Sequence, residues 1–93
     1  MFERDLRRFR DSVRAGDYDV TKHALEEMDA DGLSIPDLET CVLEGSIVER
    51  QLDRLTGERK HIIEGPASDG LALSNVAKRR ATGRMTILTG FRS

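Results

Sequence analysis

His23 is followed at i+3 and i+4 by Glu26 and Glu27, which on a helix places both carboxylates beside the imidazole. One use of a histidine so placed is proton transfer near neutral pH. The same spacing suits a His/Glu metal pair, but two ligands at i and i+4 are too common on helices to define a site. It equally suits a structural histidine hydrogen-bonded between helix and sheet. All three uses stay open on spacing alone.

A second cluster is Glu58-Arg59-Lys60-His61. On a strand, successive side chains alternate between faces, so Lys60 shares one side with Ile62 while Arg59, His61 and Ile63 share the other. Such a strand can line a phosphate-binding surface, or it can carry charges that guard an edge against aggregation. A third cluster, Lys78-Arg79-Arg80 followed by Arg84, brackets a turn. Basic side chains at a hairpin tip seek phosphate, and no acid follows Asp69 to oppose them. Arg7, Arg10 and Arg14 form a further basic row, but Glu3, Asp5 and Asp11 interleave with it, which reads as a solvated helix face.

Cys41 is the lone cysteine. It excludes an internal disulfide and any multi-cysteine zinc site, and its place between Leu38 and Val42 reads as packing. No phosphate-cradling glycine motif, dinucleotide fingerprint, zinc-protease motif or nucleophile elbow is present.

The elements that must position these residues follow from periodicity. Phe2, Leu6, Phe9 and Val13 form one stripe and predict a helix over 3–15, stopped by Gly16. Tyr18 and Val20 suit a short extended entry. Thr21 caps a helix over 22–31, with Ala24, Leu25 and Met28 facing inward. Ser34 and Asp37 form a capping-box variant for a helix over 35–44, with Pro36 in its first turn. Beyond Gly45 the rhythm shortens to strands over 47–52, 58–64, 71–78 and 85–91. Connections this short predict a four-stranded antiparallel meander. Helices before strands predict an α+β domain with the helices on one face of the sheet.

Ninety-three residues suffice for one domain, with a first helix over 1–16 and a core over 17–92. No apolar run approaches the ~18 residues of a membrane span, and Met1-Phe2-Glu3-Arg4-Asp5 offers no signal-peptide core. The expectation is a soluble, cytoplasmic protein without a membrane partner. The formal net charge of −2 hides a gradient. Residues 70–93 carry +5 without an acid, whereas residues 17–49 carry −9. An acidic region and a basic one imply different partners.

The run Thr21-Lys22-His23-Ala24-Leu25-Glu26-Glu27-Met28, with Gly32-Leu33-Ser34, Asp37-Leu38, Gly45 and Ile47-Val48-Glu49, resembles a widespread prokaryotic domain-of-unknown-function family. Glu58 to Gly65 is similar to that family's Glu-Trp-Lys-Tyr-aliphatic-aliphatic-x-Gly strand. Asn75-Val76-Ala77-Lys78, Thr82-Gly83-Arg84 and Ile87-Leu88-Thr89-Gly90-Phe91 are similar to its closing hairpin. The family resembles the RelE/ParE toxin superfamily, with its MqsR-like and BrnT-like branches, often encoded beside a YgiT/MqsA-type zinc-finger antitoxin. The resemblance implies a RelE/ParE-like α+β fold and the toxin of a type II toxin–antitoxin pair. It further implies an mRNA endoribonuclease needing no metal or cofactor, with a cognate antitoxin and mRNA or the ribosome as partners. Its matching positions are His23, Lys60, Lys78 and Arg84, while Arg59 and His61 stand where other members carry Trp and Tyr. The expected site is therefore His23, His61 and Lys60 as catalytic residues, with Lys78, Arg79, Arg80 and Arg84 on phosphate. The alternative is a non-catalytic interaction module, gyrase-inhibitor-like or a degenerate toxin, which the acidic 17–49 segment favours.

Overall fold

The computed structural model describes residues 2–93. The apolar stripe of the first helix, α1 (Glu3–Ala15), buries Phe9 and Val13. Gly16 ends α1 in the left-handed region at φ 68°, where a side chain would be strained. There its N–H donates to Val13 O at 3.0 Å. The chain then runs through β1 (Tyr18–Val20) into α2 (Lys22–Ala30). Thr21 does two jobs at that junction. Its Oγ1 accepts the Ala24 N–H at 3.1 Å and donates to Leu88 O at 3.1 Å, so the cap also fixes α2 on the sheet.

Before α3 (Ile35–Glu44), the Ser34 N–H donates to Asp37 Oδ2 at 2.8 Å. The other oxygen of Asp37 accepts the Ser68 N–H at 2.9 Å. These donors hold its carboxyl well below the ordinary carboxylate range.

Four longer strands follow: β2 (Ser46–Leu52), β3 (Arg59–Pro66), β4 (Ala72–Arg79) and β5 (Met85–Arg92). They form the antiparallel meander expected from their short connections, but the sheet is larger than four strands. β1 adds a fifth in parallel to β5, giving the order β1-β5-β4-β3-β2. The expectation of a purely antiparallel four-stranded sheet is thus corrected. A three-residue strand has no periodicity to read, and its partner lies at the far end of the chain, with Tyr18 opposite Met85.

All three helices lie on one face of the sheet. Met28 of α2, Leu38, Cys41 and Val42 of α3, and Phe9 of α1 are sealed against Ile63, Leu73, Ala77 and Ile87. Arg10 departs from its expected solvated row. It donates from Nε to Val42 O at 3.0 Å and from Nη2 to Gly45 O at 2.8 Å, pinning α1 to the end of α3. α3 meets β3 through two glycines: a Cβ on Gly65 would fall 2.6 Å from Gly45 Cα. Gly90 leaves room for Met28, whose Cγ would be 2.9 Å from an added Cβ.

Candidate functional site

The alternation of β3 sends His61 to the helix side, where it is 4% exposed. Its neighbour across β4 is Ala77, whose methyl leaves space for a ring, and across β2 it faces Arg50. α1 closes the space from above. Phe9 presents its ring edge-on to the imidazole at 5.1 Å, and the Arg79 guanidinium sits 5.0 Å from the Phe9 centroid. Asp5 and Arg8 precede Phe9 by four and one positions and reach the same place.

These residues surround a cleft of about 480 Å³ between the start of α1, the β2–β3 hairpin and the end of β4. Arg8, Arg59, Arg79 and Arg80 line it, against Asp5 and Glu58. The positive potential inside exceeds what the whole-chain charge would suggest.

Burial pushes the pKa of His61 below 6.5, Arg50 and Arg79 push the same way, and Asp5 opposes them. The Asp5 carboxylate lies 3.4 Å from Nε2, near enough to favour a positive ring. It is not aligned as a hydrogen bond, so neither ring nitrogen has a hydrogen-bond partner among the described residues. Arg79 donates from Nη1 to Gly83 O at 2.7 Å and leaves its Nη2 buried without a partner. An unpaired buried polar group costs about 1–3 kcal/mol. Several around one cleft mark a place shaped for a ligand rather than for stability alone.

The other sequence-expected residues divide. Arg79 and Arg80 join His61 at the cleft, Arg80 also donating from Nε to Thr86 Oγ1 at 3.0 Å. Lys60 and Lys78 stand opposite each other in register, on the sheet face away from His61. Lys78 Nζ is 3.3 Å from a Glu58 carboxylate oxygen. Arg84 is committed: it donates from Nε to Asp19 Oδ2 at 2.7 Å and from Nη2 to Asp19 Oδ1 at 3.0 Å, and its Nη1 bonds Asp17. His23 is exposed on α2, outside the cleft. The carboxylates expected to tune it serve elsewhere. Glu27 Oε1 accepts the Gly90 N–H at 3.0 Å, and Glu26 lies 3.8 Å from Lys22.

Asp5, Arg8 and Arg50 escaped the sequence reading. The signal for Asp5 was its i, i+4 spacing to Phe9 at the margin of the apolar stripe. Cys41 is a packing residue. Asn75 Nδ2 donates to its Sγ at 3.4 Å, and burial pushes the thiol up to about 11. Among the described residues, no three His, Cys, Asp or Glu side chains gather closely enough to hold a metal ion.

No curated protein and no solved structure matches the chain. A family model does, over residues 20–89, which takes in α2, α3 and β2 to β4 with most of β5. α1, with Asp5, Arg8 and Phe9, precedes the matched span. A match over most of the chain places this protein in the family described as Domain of unknown function (DUF4258).

Proposed function

We propose that this protein is a metal-independent endoribonuclease of the RelE/ParE-like toxin kind, with His61 as its acid/base. One observation carries the reading: a buried imidazole, flanked by a carboxylate, at an arginine-lined cleft. RNA supplies its own nucleophile. His61 takes the proton of a ribose 2′-hydroxyl, the freed oxygen bonds to the adjacent phosphorus, and the P–O5′ bond breaks. The 5′-oxygen leaves with a proton from water, and the products are a 2′,3′-cyclic phosphate and a 5′-hydroxyl. Asp5 stabilises the imidazolium formed on the way, and the guanidinium groups offset charge on the pentacovalent phosphorus. Lys60, Lys78, Arg84 and His23 have no part in this chemistry.

The reading carries a partner, a cognate antitoxin of zinc-finger type that masks the cleft. Expression of the chain alone should slow growth, and co-expression of the neighbouring gene product should restore it. Cyclic-phosphate ends on RNA incubated with the purified protein and a chelator test the chemistry.

A second reading, a protein-binding module without catalysis, draws on another observation. α2 and the entry to α3 enclose a groove of about 420 Å³ floored by Leu25, Met28, Leu33 and Ile35 and edged by Glu26 and Asp29. An apolar floor with an acidic rim suits a basic amphipathic segment. Growth inhibition that survives His61→Gln and disappears with Leu25→Glu selects this reading.

A further inference from the structure

α1 lies before the family-matched span, yet it forms one wall of the His61 cleft. It is fixed there by Arg10 on Val42 O and Gly45 O, and by Asp5 at 3.8 Å from Arg50. Phe2 lies under the same Arg50 guanidinium, 5.5 Å from its centroid. A helix held at several points is a built part of the cleft rather than a lid over it.

Two cations meet the cleft with bonding capacity left over. Arg79 has its Nη2 unpartnered, and Arg8 is exposed at the rim. His61, nearly buried, retains both nitrogens free of hydrogen bonds among the described residues. Planar guanidinium groups are the side chains best matched to tetrahedral oxyanions.

We propose that docking of α1 creates an oxyanion pocket in which Arg8 from α1 and Arg79 from β4 together hold one phosphate group beside His61. The inference rests on reading the cleft as a phosphodiester site, but it does not require that RNA be cleaved there. It adds that the phosphate-binding pair spans the boundary of the family-matched region. It also assigns opposite roles to neighbours on one helix turn: Arg8 attracts the anion, while Asp5 repels it and serves His61. The charged groups around the imidazole and its cleft are Asp5 and Arg8 of α1, Arg50 of β2, Glu58 just before β3, Arg59 at its start, Arg79 of β4 and Arg80 just after it.

The test is a titration of the full chain with inorganic phosphate at pH 8, where His61 is neutral. It is followed through the His61 ring and arginine side-chain signals in NMR, with chloride at equal ionic strength as control. Phosphate is expected to move the His61 and Arg79 signals where chloride does not. Arg8→Ala should weaken phosphate binding about tenfold, and Arg79→Lys at least as much. Asp5→Asn should tighten it, a sign that simple loss of structure does not produce. Arg14→Ala, on the same helix but away from the cleft, should bind as the parent does. Oligonucleotides with and without a 5′-phosphate then separate a terminal from an internal phosphate as the natural source. Equal shifts with chloride, or unchanged affinity in both arginine variants, would overturn the proposal. Phosphate binding by a protein that leaves RNA intact upholds the pocket and removes only the nuclease reading.

Discussion

A buried imidazole between guanidinium groups and a carboxylate feels opposed forces. Burial, Arg50 and Arg79 disfavour its charged form, and Asp5 favours it. Because burial dominates, the folded pKa lies below the unfolded 6.5. The folded state therefore binds fewer protons than the unfolded state as pH falls below 6.5, and stability declines through that window. Denaturation midpoints at pH 7.5 and 5.5 should differ less in His61→Phe than in the parent. Asp5→Asn removes the charge that favours the imidazolium, so the NMR titration of His61 should move to still lower pH. Strand alternation alone set His61 and Ile63 on one face with Lys60 on the other, because a period of two is fixed by backbone geometry. It could not place Asp5, whose importance comes from α1 docking across residues more than fifty positions away.

Elements decide where the cleft lies, and close approach decides where the elements lie. α3 meets β3 where Gly45 and Gly65 nearly touch, and any Cβ there must meet backbone. Gly65→Ala should cost about 2–3 kcal/mol in urea denaturation, since overpacking against backbone has little room to relax. Gly90→Ala should cost less, because the obstacle is the flexible side chain of Met28. Helix ends were legible from their caps, and α1 and α3 begin and end where Gly16, Ser34 and Gly45 require. β1 was legible as an extended entry at Tyr18 and Val20 but not as a member of the sheet. Its hydrogen-bonding partner is β5, and local sequence says nothing about a pairing of that range. The same distance explains Arg84, whose basic neighbours pointed to phosphate while its partners Asp17 and Asp19 stand on the opposite arm of the chain. Arg84→Ala should loosen β1 from β5, seen as faster amide exchange at Asp19 and Val20. High salt should narrow its difference from the parent.

Over the whole molecule, a formal charge of −2 is the sum of an acidic helical side and a basic sheet end. The fold sharpens that polarity, since Arg8 of α1 and Arg59 of β3, from outside the C-terminal basic stretch, join Arg79 and Arg80 at the cleft. RNA affinity should fall linearly with the logarithm of salt concentration, with a slope of about −2 if the cleft engages three phosphates. Arg8→Ala should make the slope shallower, while Lys60→Ala, on the opposite sheet face, should leave it unchanged. The account stands or falls on His61 as the chemical centre of metal-independent RNA cleavage. The most direct measurement is the cleavage rate of a single-stranded RNA in excess chelator by the parent protein, His61→Gln and Lys60→Ala, with product ends identified. The account predicts cyclic-phosphate ends from the parent and from Lys60→Ala, and a loss of about a hundredfold or more in His61→Gln. RNA left intact by the parent, or cut equally by His61→Gln, would contradict it.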